Sequence, residues 1–145
     1  MNNVLVLGTG LGSMVLAMRH KGYDPHFTLV DNDKVVLKWA IEFLDNKNVS
    51  SIDPICMDAG DFMEQNTKKY DLVFIDIFEG RSVPGFVSNV IFFEKCRDAL
   101  TVEGHLAFNY IINDQDKWEG VKNICTLVFP GHRVINIGIN RIVIV

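Results

Sequence analysis

Three groups of residues combine types and spacings that can do chemistry. The first is the turn Gly8-Thr9-Gly10-Leu11-Gly12-Ser13, which follows the apolar run Val4-Leu5-Val6-Leu7. Glycines at that spacing let a ligand come close to the backbone. A helix opening there presents its amides and positive dipole end to an anionic group. The second is Asp31, at the end of a second apolar run and 23 residues after Gly8, where a carboxylate can accept both hydroxyls of a ribose. The third is a set of later acids: Asp58 in Met57-Asp58-Ala59-Gly60-Asp61-Phe62, then Asp76 and Glu79 in Tyr70-Asp71-Leu72-Val73-Phe74-Ile75-Asp76-Ile77-Phe78-Glu79-Gly80. Asp76 ends a buried apolar run, which delivers it to the sheet edge where open α/β folds bind their ligands. A plainer reading stands beside each group. The glycines also suit a tight turn with no ligand, Asp33 or Asn32 suits the cap of the next helix, and Asp58 suits a cap of its own.

The elements that must hold these residues follow from periodicity. Strands are expected at Asn3 to Leu7, His26 to Val30, Ile52 to Cys56, Tyr70 to Ile75, Gly104 to Tyr110, Arg133 to Ile137 and Arg141 to Val145. Between them, Val36, Ala40 and Phe43, then Phe92, Cys96 and Ala99, then Trp118, Val121, Cys125 and Val128 recur at helical spacing and are read as faces turned to the sheet. Trp39 is likewise read as a core position. Shorter helices are expected from Gly12 to before Gly22 and from Ala59 to about Gln65. This alternation predicts an α/β fold with a doubly wound, seven-stranded, mostly parallel sheet in a single domain over residues 1–145. Pro54 lies within the third strand and places it at a sheet edge, because a missing N–H is tolerated there. Only Gly138-Ile139-Asn140 separates the last two strands, so they must form an antiparallel hairpin.

The glycine turn, the edge strand with Pro54 and the closing hairpin together resemble the class I S-adenosylmethionine-dependent methyltransferase superfamily, with its Rossmann-like fold. Asp76 and Glu79, preceded by Tyr-Asp-Leu-Val and followed by Gly-Arg-Ser-Val-Pro-Gly, are similar to the Asp-x-x-Asp segment of its spermidine synthase branch. The segment from Phe93 to Leu106 resembles that family's helix, turn and fifth strand. The resemblance implies S-adenosylmethionine, or its decarboxylated form, as cofactor. Gly8, Thr9, Gly10 and Gly12 would cradle it, Asp31 and Asn32 would take the ribose, Asp58 would meet the adenine amino group, and the Ala59 N–H a ring nitrogen. Asp76 would face the reacting centre as base, with Glu79 as a second amine-binding acid. The implied function is a transferase acting on a small, amine-bearing acceptor. Two departures point away from spermidine synthesis itself: Leu11 stands where the aminopropyltransferases have an acid, and the family's N-terminal β-rich domain has no counterpart. A nicotinamide-dinucleotide domain and a non-catalytic cofactor-binding remnant remain as alternatives.

Composition narrows the partners. With 14 Lys and Arg against 18 Asp and Glu, a formal charge of −4 and no basic run, the chain lacks the footprint of nucleic-acid binding. Its apolar runs fall short of the roughly 20 residues of a membrane span, and Met1-Asn2-Asn3-Val4 lacks a signal peptide's basic start, so a cytoplasmic location is expected. Cys56, Cys96 and Cys125 are widely spaced and read as small buried hydrophobes. The four histidines have no partner at ligand spacing, and no metal site is expected. Asn109 and Tyr110, ending the fifth strand, are placed to reach the cleft. Arg81, Ser82 and Pro84 to Phe86 read as a lid or a plain surface loop. The sheet end near Val145 leaves an edge through which a homodimer can form.

Overall fold

The computed structural model describes residues 1–78, 80 and 83–145. β1 (Asn3–Leu7) and β2 (His26–Asp31) carry buried runs, wholly apolar in β1 and broken only by the buried Thr28 in β2, as strands covered on both faces require. With β3 (Ile52–Cys56), β4 (Tyr70–Ile75), β5 (Leu100–Ile111), β6 (Arg133–Ile137) and β7 (Asn140–Ile144) they form a seven-stranded sheet in the order β3-β2-β1-β4-β5-β7-β6. The first five strands are parallel, and β7 runs antiparallel to both of its neighbours. Pro54 sits on the edge strand β3, opposite Leu29, as its missing N–H demands. Chain order reverses beside β1, with β2 and β3 on one flank and β4 and β5 on the other. The carboxyl ends of β1 and β4 therefore border an open crevice.

The strand pleat divides the core in two. Val4 and Val6 pack with Val15 and Met18 of α1 (Ser13–His20) and Leu37 and Leu44 of α2 (Lys34–Asp45). Leu5 and Leu7 pack on the other side with α3 (Ala59–Gln65), α4 (Val90–Asp98) and α5 (Gln115–Val128). There Phe93 meets Phe92, Phe108 and Phe129 edge to face, with centroids 5.4 to 6.2 Å apart. Among the described residues, no helix is long and apolar enough to cross a membrane.

Three expectations are corrected. The buried face of α2 is Leu37, Ala40 and Leu44, not Val36, Ala40 and Phe43, and Trp39 is 57% exposed. α2 has apolar residues on more than one side, so several faces satisfy helical spacing and tertiary packing chooses among them. Phe43 instead lies beneath the Lys47 ammonium, 5.7 Å from the ring centroid. Cys56 is exposed because it ends an edge strand, whereas Cys96 and Cys125 are buried. Burial pushes both buried thiols up, Cys125 to about 12, so they stay protonated and unreactive. β5 also begins earlier than expected, at Leu100, with its register against β4 shifting between Tyr70 and Leu72.

Asp71 ties the start of β1 to β4 and β5. Its Oδ2 accepts the N–H groups of Asn2 and Asn3, and its Oδ1 accepts the Thr101 hydroxyl at 3.1 Å. The Asn2 amide, then that of Asn3, holds its carboxyl below the ordinary value of 3.8. A lowered folded pKa stabilises the protein above the unfolded value, and that stabilisation is lost as pH falls through the folded one. Asp71→Ala should therefore lose about 1 kcal/mol at pH 7. The gap from wild type in urea unfolding should close below about pH 4.

Candidate active site

The glycine turn is fixed by a close backbone approach. Gly8 has φ +85°, its N–H donates to the Val30 carbonyl at 2.9 Å, and the Asp76 N–H donates to the Leu7 carbonyl at 2.8 Å. A Cβ on Gly8 would lie 2.2 Å from the Asp76 carbonyl oxygen. No other residue fits there. Thr9 is buried, and its hydroxyl donates to the Val30 carbonyl at 3.3 Å. The turn closes with the Gly12 N–H on the Thr9 carbonyl at 3.0 Å. Gly12 then caps α1 in the left-handed region without a side-chain bond, and the first turn of α1 has no acid. Its leading amides remain available to an anion.

Asp31 is locked into the same turn. Its Oδ2 accepts the Thr9 N–H at 3.0 Å and its Oδ1 the Asp33 N–H at 2.9 Å. Each oxygen keeps acceptor capacity for a hydroxyl. Asp33 caps α2, its Oδ1 accepting from Val35 and Val36 at 2.8 and 3.1 Å, so the expected capping role falls to Asp33 and leaves Asn32 facing the crevice. The crevice has a volume of about 380 Å³. Gly8, Thr9, Gly10 and Ser13 line one end, Asp31, Asn32 and Asp33 a second side, and Met57, Ala59, Phe74, Asp76 and Phe78 the rest. Met14 and Val36 add apolar surface. Three carboxylates line it and no Lys, Arg or His does, among the described residues.

Asp58 does not line the crevice. Its Oδ1 caps α3 through Gly60 N–H at 2.7 Å and Asp61 N–H at 3.2 Å, while its neighbours Met57 and Ala59 form the wall. The capping alternative is thus realised for this residue. Glu79, Arg81 and Ser82 lie outside the described residues. Of the suggested lid, Pro84 is buried and Phe86 packs edge to face on Phe92 at 5.3 Å.

Asp76 is more than half buried, and its Oδ1 accepts the Asn109 side-chain amide at 2.9 Å. Burial pushes its carboxyl up, and the Asn109 bond pulls it back down. Tyr110 turns the other way, buried against Phe108 and Trp118. Strand parity accounts for the difference: Asn109 shares a face with Asp76, and Tyr110 shares the opposite face with Phe108. Sequence reasoning gave Ser13, Met14, Val36, Met57, Phe74 and Phe78 no site role. For Ser13 the signal was available, since it opens the helix directly after the glycine turn.

Two glycine variants separate the fold from the site. Gly8→Ala should lower stability by about 3 kcal/mol in urea unfolding, since both overlap and backbone strain oppose it. A Cβ on Gly10 meets nothing within 4 Å. Gly10→Ala should therefore lose only about 1 kcal/mol from its left-handed conformation while blocking ligand approach to the turn.

The chain is similar to known proteins in sequence and in fold. A family model described as the spermine/spermidine synthase domain matches residues 1–130. An N-terminal histidine N-methyltransferase of Emericella nidulans is 31% identical over 114 residues, which are 75% of this chain and 20% of that protein. A polyamine aminopropyltransferase of Yersinia pestis is 26% identical over 107 residues, 70% of this chain and 36% of that protein. The chain thus spans about a fifth and about a third of the lengths of these two relatives. The crystal structure of human methyltransferase-like protein 13 in complex with SAH superposes with a TM-score of 0.84 at 22% identity, covering 99% of this chain and 70% of that one. The fold is the Rossmann-like methyltransferase fold, and the chain belongs to the spermine/spermidine synthase domain family.

Proposed function

We propose that the chain is an S-adenosylmethionine-dependent transferase that moves the methyl group to an amine on a small acceptor. The observation that carries this reading is the charge pattern of the crevice. Among the described residues Asp31, Asp33 and Asp76 line it and no basic side chain does, while the uncapped start of α1 supplies amides beside Gly10 and Ser13. Such a site suits a ligand with hydroxyls, cationic groups and one carboxylate. A sulfonium amino acid joined to adenosine has all of these. A dinucleotide would bring two phosphate charges to a crevice of three carboxylates, which argues against the nicotinamide alternative. The decarboxylated cofactor would leave the α1 amides without their anion, and Leu11, 58% exposed, supplies no acid for a free aminopropyl group. This favours methyl over aminopropyl transfer.

In the bound state the cofactor would supply an activated methyl on a good leaving group, so the protein's task is alignment and proton handling. Asp31 would hold the ribose, the α1 amides the carboxylate, and Met57 with Ala59 the adenine wall. Asp76 would accept a proton from the amine. The names of the relatives, one an N-methyltransferase and one a polyamine aminopropyltransferase, support a nitrogen nucleophile.

Calorimetry with S-adenosylhomocysteine, S-adenosylmethionine, its decarboxylated form and NAD tests the cofactor. The first two should bind at micromolar concentration, the decarboxylated form at least about tenfold more weakly, and NAD not at all. Binding of NAD alone would overturn the proposal. Asp76→Asn should bind the homocysteine analogue within a few-fold of wild type and lose about 100-fold or more in methyl transfer across a panel of amines, read with labelled methyl donor. Equal transfer by wild type and variant would remove Asp76 from the reaction.

A further inference from the structure

Asn109 is a residue that stability alone would not select. It lies one position beyond the Ile75–Phe108 pair of β4 and β5, beside Asp76. Its amide nitrogen donates to Asp76 Oδ1 at 2.9 Å, yet its own Oδ1 is buried with no hydrogen-bond partner among the described residues. A buried carbonyl without a donor is rare and destabilising. Its neighbours on the same face of β5 are Ala107 and Ile111, so an apolar residue at 109 would continue the strand and remove the orphan. What the amide provides that an apolar residue cannot is a donor for Asp76.

We propose that Asn109 is a positioning residue that fixes the Asp76 carboxylate by one oxygen and leaves the other, Oδ2, to receive a cationic amine acceptor. This rests on the amine-transfer reading of the crevice. The ammonium group of the acceptor gives one proton to Asp76 Oδ2. The freed nitrogen lone pair then bonds to the methyl carbon, the carbon–sulfur bond breaks with its electron pair going to sulfur, and the product leaves as the protonated methylamine. Asp76 returns its proton to solvent. The carboxylate must be charged when the ammonium arrives, and burial works against that.

The other ionisable groups nearby leave the Asn109 amide unsupported in this task. Asp31 and Asp33 share the crevice and carry like charge, and Tyr110 faces the opposite core. Arg141 of β7 spends Nη1 on the Gly138 and Asn140 carbonyls at 2.9 Å. Lys, Arg and His are missing from the described lining. Among the described residues the amide of Asn109 is thus the one side-chain donor on Asp76.

The test follows the carbon-13 resonance of the Asp76 carboxyl, assigned by its loss in Asp76→Asn, through a pH titration of wild type, Asn109→Ala and Asn109→Leu. Both Asn109 variants should titrate at least about one pH unit higher than wild type, the worth of a hydrogen bond to a charged group. Below the Asp76 midpoint, where the carboxyl is protonated in wild type and variants alike and no charged hydrogen bond is lost, their thermal midpoints should be equal to or above wild type, because the orphan carbonyl is gone. A merely structural asparagine gives the opposite pattern, with stability lost and the Asp76 midpoint unmoved, and that result overturns the proposal. Binding of S-adenosylhomocysteine by wild type is read separately. An unmoved midpoint overturns the positioning role whether or not the ligand binds, whereas absent binding with a raised midpoint overturns the functional reading and supports the Asp76–Asn109 pair.

Discussion

The site depends on one backbone contact, the approach of Gly8 to the carbonyl of Asp76. Because a Cβ at position 8 would come within 2.2 Å of that oxygen, β1 and β4 end side by side only when residue 8 is glycine. The left-handed turn that follows brings the Thr9 N–H onto Asp31 and starts α1 at Ser13. A single conformational constraint thereby places three candidate ligand-binding elements around one crevice: the helix amides, the carboxylate at the end of β2 and the carboxylate after β4. The sheet order makes this contact possible, since β2 and β4 flank β1.

Two aspartates in the crevice share a residue type and differ in environment. Asp31 sits in a polar turn with both oxygens held by backbone N–H groups, an arrangement suited to binding hydroxyls. Asp76 is more than half buried, with a side-chain amide as its partner, an arrangement suited to a group that must hold and release a proton. The proposed division of labour, one carboxylate for the cofactor and one for the acceptor, follows from that contrast. Burial raises the Asp76 carboxyl and the amide restrains it, which suits a base that meets a cation.

Much of the fold was legible because its signals were local and unambiguous. Pro54 can stand in a strand only where an N–H is dispensable, and the two residues between β6 and β7 permit only a hairpin. α2 was misread because its apolar residues satisfy helical spacing on several faces, so only packing against β2 and β3 could select Leu37, Ala40 and Leu44. In the site, the glycine turn, Asp31 and Asp76 were legible from order along the chain. Asp58 was ambiguous in principle, since a carboxylate after a strand serves a helix cap and a ligand equally well, and here its Oδ1 is committed to the cap. Asn109 carried a faint signal, an amide between Phe108 and Tyr110 at the end of an apolar strand. Its pairing with Asp76 depends on strand register, which no short stretch of sequence contains.

Under the proposed function, the turn, Asp31 and Asp76 together form one adenosyl-sulfonium site. A crystal structure of the chain with S-adenosylhomocysteine tests it most directly. Both ribose hydroxyls should lie on the Asp31 carboxylate, the homocysteine carboxylate on the first-turn amides of α1, and the sulfur should face Asp76. A ligand bound elsewhere, or one in this crevice with its ribose away from Asp31 and its sulfur remote from Asp76, would contradict it.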